Sequence, residues 1–124
     1  MIKDVVYQEI LDELSTFLAE GWESLVVYLE YGDSSYTFEF YVKVNGKYIK
    51  CYDLPDVSDD ALAESFSNID EIISSERDRD IDPLWTNMTM VVSNSGDMHI
   101  DFDYTDLTQG SYQYMLDWKN KYLK

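Results

Sequence analysis

YTFEFYVKVNGKYIKCYD, residues 36–53, decides the fold. Its first half alternates. Tyr36, Phe38, Phe40 and Val42 point one way and Thr37, Glu39, Tyr41 and Lys43 the other, the period of a strand with one face in a core. Asn45-Gly46 then interrupts the run. A two-residue type I′ turn needs positive φ at both central positions, which this pair tolerates. The chain returns as a partner strand over Lys47–Asp53. Just upstream, SLVVYLEY (24–31) is rich in β-branched and aromatic residues, and GDSS (32–35) separates it from the hairpin as a turn. These three runs predict an antiparallel meander.

Helices flank the meander. Over residues 2–20, Val6, Ile10, Leu14, Phe17 and Leu18 recur at three- and four-residue spacing before Gly21, the pattern of an amphipathic helix and its stop. After Pro55, Ser58 is a helix N-cap with Asp59 and Asp60 in the first turn, and Leu62, Phe66, Ile69 and Ile73 form the buried stripe. Residues 82–92 lead into a fourth strand, SNSGD turns it, and MHIDFDY (98–104) is the fifth. Residues 111–124 close the chain as a helix with Lys119, Lys121 and Lys124, opposite in sign to the rest. The fold class predicted is α+β: about five antiparallel strands in a single sheet, order α-β-β-β-α-β-β-α, in one domain spanning residues 1–124.

Composition excludes several functions. Twenty-five acids against nine Lys and Arg give a formal charge of −16, a field that repels phosphate backbones and anionic lipid. Nucleic acid and membrane are therefore not expected partners, whereas a basic protein would be drawn in quickly. With 15% aromatics the chain is not an acidic disordered tail. Cys51 is the single cysteine, so an internal disulfide is impossible. Asp4, Glu9, Asp12 and Glu13 interrupt any leader-like apolar run, and no stretch approaches a membrane span. The expected location is the cytoplasm.

Chemistry-bearing patterns are few. In MHIDFDY, Met98, Ile100, Phe102 and Tyr104 face the core side, while His99, Asp101 and Asp103 face away, with Asp106 close behind. Same-face strand neighbours lie roughly 7 Å apart, so this row could serve a metal or an acid–base pair only with ligands from elsewhere. A solvated or partner-binding face explains it more simply. DRDID (78–82) begins like a calcium loop, but Pro83 stands where glycine is needed and Thr89 where a bidentate Glu is needed. A Cys51–His99 nucleophile pair lacks any feature that would activate the thiol. There is no phosphate-binding glycine loop, CxxC or HExxH. Eleven tyrosines, including Tyr28, Tyr31, Tyr41 and Tyr52 at strand-like positions, fit a recognition surface if the second sheet face is open. The alternative is that helices cover that face.

The pieces together resemble the YezG-like antitoxin family, the immunity proteins paired with secreted LXG-type and related polymorphic toxins. The resemblance runs through GWESLVVYLEY (21–31), FEFYVKVNGKYI (38–49) and LPDVSDD (54–60), is strongest at PLWTNMTMVVSNSGDMHIDFDY (83–104), and ends in YQYMLDWKNKYL (112–123). Family members usually run on past the last helix, whereas this sequence stops at Lys124. The resemblance implies a non-enzymatic inhibitor, without cofactor or metal, that binds the toxic C-terminal domain of a cognate toxin, often a nuclease. Basic nuclease clefts suit a −16 partner. The expected contact residues are Asp101, Asp103 and Asp106, with Glu30, Glu39 and Tyr41 as outward sheet positions. The acidic helix, through Asp59, Asp60, Glu64, Asp70 and Glu71, is a rival surface. Two other readings remain: an acidic adaptor for a cationic partner, and a small enzyme using His99 with Asp101 or Asp103.

Overall fold

The structure, a computed structural model, describes residues 4–18, 20–32, 35–79, 85–107, 110 and 112–123. Its elements are α1 (Asp4–Leu14), β1 (Ser24–Tyr31), β2 (Tyr36–Val44), β3 (Lys47–Lys50), α2 (Asp59–Arg79), β4 (Asn87–Ser93), β5 (Met98–Asp103) and α3 (Tyr112–Tyr122). This is the α-β-β-β-α-β-β-α order that the sequence predicts. All strand pairs are antiparallel, and the sheet order is β3-β2-β1-β4-β5. The meander is therefore extended on the β1 side, not the β3 side. β1 belongs at the centre because Leu25–Leu29 is buried at every position, and a continuous apolar run needs cover on both faces.

The Asn45-Gly46 turn has φ of 52° and 77°, as a type I′ hairpin requires. It pairs Val44 with Lys47 and Val42 with Ile49.

The main core lies on one sheet face. Leu25, Val27 and Leu29, Phe38, Phe40 and Val42, and Met88, Met90 and Val92 meet Val6, Ile10 and Leu14 of α1 and Leu62, Phe66, Ile69 and Ile73 of α2. Phe66 meets both Phe38 and Phe40 edge-on, with centroids 6.1 Å apart in each case. Truncating one such buried side chain to alanine costs about 2–5 kcal/mol. The Ser58 hydroxyl accepts from the Ala61 N–H at 3.1 Å, capping α2 as predicted. Two polar contacts tie the helices in place: Asn68 donates to Glu13 at 2.9 Å and Tyr31 donates to Asp70 at 2.6 Å.

Several boundaries differ from expectation. The first helix ends at Leu14 and continues as a 3₁₀ turn over Ser15–Phe17. The third strand stops at Lys50, and Cys51–Asp53 forms a 3₁₀ turn. Cys51 and Leu54 are both buried. Strand alternation cannot bury two residues three apart, whereas a 3₁₀ turn eclipses i and i+3. β5 ends one residue early, leaving Tyr104 exposed outside the strand. The tip of the GDSS turn and the side chains of the 78–82 carboxylate run lie outside the described residues. Among the described residues no helix is long and apolar enough to cross a membrane.

Candidate functional site

Strand register assembles the second sheet face. Opposite Glu30 stand Thr37 on one side and Asn87 on the other, and Asn87 faces Asp103. The next row runs Glu39, Tyr28, Thr89, Asp101. Four carboxylates predicted to share a face, Glu30, Glu39, Asp101 and Asp103, thus sit in two adjacent rows.

That face is not open. α3 lies across it, so of the two readings that the sequence leaves open the covered face holds. Tyr28 and Tyr41 are buried with Val26 and Trp118 in a second, smaller apolar cluster. Trp118 meets Tyr28 edge-on at 5.0 Å and Tyr41 at 5.7 Å. Tyr41 is on the expected side, buried against Trp118. Tyr52 is exposed, but in the 3₁₀ turn, not in a strand.

Each of the four carboxylates accepts a tyrosine hydroxyl. Tyr28 donates to Glu30 and Tyr41 donates to Glu39, at 2.5 and 2.6 Å, within their own strands. Tyr122 donates to Asp101 at 2.6 Å and Tyr114 donates to Asp103 at 2.7 Å, both across from α3. Burial, and then these carboxylates, push the phenols of Tyr28, Tyr41 and Tyr114 well above the ordinary range and that of Tyr122 up to about 12. The hydroxyls therefore remain neutral donors.

The reciprocal effect falls on the aspartates. The Tyr122 hydroxyl holds the Asp101 carboxyl below its usual value against the opposing effect of burial, with His99 adding to the lowering. For Asp103, burial pushes upward, but hydrogen bonds from Thr105, Tyr114 and nearby backbone outweigh it. Thr105 supplies two of these, N–H at 2.8 Å and hydroxyl at 2.6 Å.

Between α3 and β4–β5 runs a groove of about 320 Å³ lined by Asn87, Thr89, Asp101, Asp103, Asp117 and Lys121, with Tyr114, Trp118 and Tyr122 as its aromatic wall. Asp106 is exposed in the loop beyond β5. The rival surface is also placed: Asp59, Asp60, Glu64 and Glu71 are exposed on α2, while Asp70 is engaged by Tyr31.

The catalytic alternatives fare differently. Cys51 lies in the main core beside edge strand β3, while His99 is on the opposite face of the other edge strand, β5. Four strand spacings put them roughly 19 Å apart, so no nucleophile pair forms. His99 Nε2 lies 3.0 Å from Asp101 Oδ1 on an exposed edge. Among the described residues no group of three or more His, Cys, Asp or Glu is disposed to hold a metal ion.

Sequence reasoning missed the contribution of α3. Tyr114, Trp118 and Tyr122 recur at four-residue intervals, a stripe whose rings all carry a polar tip. Such a stripe suits docking onto a polar sheet face rather than an oily one.

Comparison with known proteins supplies the context. The family model described as "Immunity protein YezG-like" matches residues 3–124. The chain is 27% identical over 111 residues to Immunity protein YezG of Bacillus spizizenii strain W23, covering 82% of this chain and 68% of that protein. It is 27% identical over 129 residues to Immunity protein YezG of Bacillus subtilis strain 168, covering 95% of this chain and 85% of that protein. With a match from residue 3 to the last, the chain belongs to the YezG-like immunity protein family.

Proposed function

We propose that this protein is a cytoplasmic immunity protein that neutralises a cognate toxin by tight, non-catalytic binding of its toxic C-terminal domain, and that this domain is a basic nuclease. Family membership supports the immunity role. The observation that carries the rest is the state of Asp101 and Asp103. Both carboxyls are held below their usual pKa, and their donors from α3, Tyr122 and Tyr114, are neutral hydroxyls. The tyrosine hydroxyls fix these charges in place without neutralising them, and with Asp117 they outnumber the one lysine, Lys121, lining the groove, in a chain of net charge −16. A nuclease must carry cations to hold its phosphate substrate. An acidic surface competes for those cations and accelerates encounter. Asp101, Asp103 and Asp106 are the proposed contacts, with Glu30 and Glu39 extending the field and Tyr41 supporting it from beneath. No catalytic step, metal or cofactor is assigned.

The test is co-expression with the toxic domain encoded beside the gene, purification through a tag on this chain, and titration of the complex against salt. A 1:1 complex without nuclease activity, loosened steeply by salt, is expected. Absence of a complex, or a complex that still degrades nucleic acid, would refute the proposal.

A further inference from the structure

α3 covers the middle of the second sheet face and leaves a depression on its other flank. The acidic groove lies toward β5. Toward the β2–β3 hairpin lies a wider depression of about 720 Å³, lined by Lys47, Lys50 and Lys119 and one carboxylate, Asp53, together with Tyr41, Tyr48, Asn120 and Leu123. Of the nine basic residues, Lys47 and Lys50 from the hairpin and Lys119 from α3 meet in this depression. Lys43 adds to the cluster, its Nζ 5.5 Å from the Tyr48 ring centre.

The ammonium groups are largely uncommitted. Lys50 lies 3.7 Å from Glu39. Among the described residues, neither Lys47 nor Lys119 pairs with a carboxylate, although the chain holds 25 acids. Both are exposed. Elsewhere on α3, Tyr112 and Leu116 are 79% and 39% exposed. Three ammonium groups around one depression, with Asp53 as its one lining carboxylate, cost electrostatic free energy unless further opposite charge joins them.

We propose that this depression docks an acidic, partly apolar segment of the toxic domain, while the groove on the other flank of α3 engages that domain's cations. The inference rests on the immunity reading and deepens it. A face with two poles of opposite sign fixes the orientation of its partner and rejects a uniformly basic competitor, because the lysine pole repels it.

The sign of one mutational effect separates the possibilities. The double variant Lys47→Glu/Lys119→Glu makes the chain still more acidic. A partner recognised only through its positive charge should bind that variant equally or more tightly. An acidic segment in the depression predicts the reverse: affinity weaker by about tenfold or more, most of it in dissociation. The measurement is calorimetric titration with the toxic domain encoded beside the gene. Circular dichroism and thermal melting establish that the variant is folded, and Lys47→Gln/Lys119→Gln should show a smaller loss in the same direction.

Unchanged or tighter binding by the reversal variant would overturn this inference and leave the immunity reading intact. No binding by the unaltered protein would overturn both. Binding of a labelled oligonucleotide by the unaltered protein, abolished by the reversal, would assign the lysines to a phosphate backbone and overturn the inference.

Discussion

The indole Nε1 of Trp118 donates to the Thr89 hydroxyl at 2.8 Å, inside a contact closed to water. This bond joins the last helix to the centre of the sheet, and Trp118 is the one buried residue of α3. The first prediction follows from it. Thr89→Val keeps the shape but orphans the indole N–H, which should cost about 1–3 kcal/mol. Trp118→Ala removes the ring as well and should cost roughly 3–5 kcal/mol. Urea unfolding of both variants tests the order. An unchanged midpoint for Thr89→Val would mean that the bond contributes nothing to seating α3.

Acid should loosen the same helix. Asp101 and Asp103 titrate below the ordinary aspartate value of 3.8 when folded. Carboxyls depressed in the folded state contribute stability that is fully present above the unfolded value and is lost as pH falls through the folded one. The seating of α3 should therefore be insensitive to pH above about 5 and weaken below about 4. Tyr122→Phe removes the largest cause of the Asp101 depression, so in that variant the Asp101 carboxyl should titrate at higher pH. Carboxyl carbon resonances followed by NMR report this directly. An unshifted Asp101 titration in Tyr122→Phe would contradict the assigned cause.

The hairpin and the second face show where local pattern is sufficient and where it fails. Asn45-Gly46 was legible because the turn's chemistry is local: two positive φ values, observed at 52° and 77°. The face assignment of Glu39, Tyr41, Asp101 and Asp103 was legible because alternation has period two. Alternation says which residues leave the core, but not whether another layer waits for them. The stripe Tyr114–Trp118–Tyr122 is visible at helical spacing, yet its landing place on Thr89, Asp101 and Asp103 is a non-local choice. The same limit hid the end of the third strand. Cys51 continues a β-like run, and only the joint burial of Cys51 and Leu54 turns the chain into a 3₁₀ step. The lysine depression was invisible for a related reason. Its two halves are some seventy residues apart in sequence and adjacent only after folding.

The last prediction concerns which acids meet the toxin. Charge reversal at Asp101 or Asp103 is a poor test, because an ammonium there would also displace Tyr122 or Tyr114 from its acceptor. Asparagine separates the two roles. In Asp101→Asn the amide oxygen still accepts from Tyr122, and in Asp103→Asn the Tyr114 hydroxyl retains Asn87 Oδ1, at 3.2 Å, as an acceptor. The fold should therefore survive, while the two charges vanish. If the groove meets cations of the toxic domain, the double asparagine variant should bind it about threefold to thirtyfold more weakly, with a shallower salt dependence and a slower association. Tyr122→Phe, which keeps the charge, should lose less. Surface-plasmon kinetics at several salt concentrations measure both. If the asparagine variant binds as the unaltered protein does while Asp60→Asn/Glu64→Gln on α2 weakens the complex, the acidic helix is the contact surface and the groove is not.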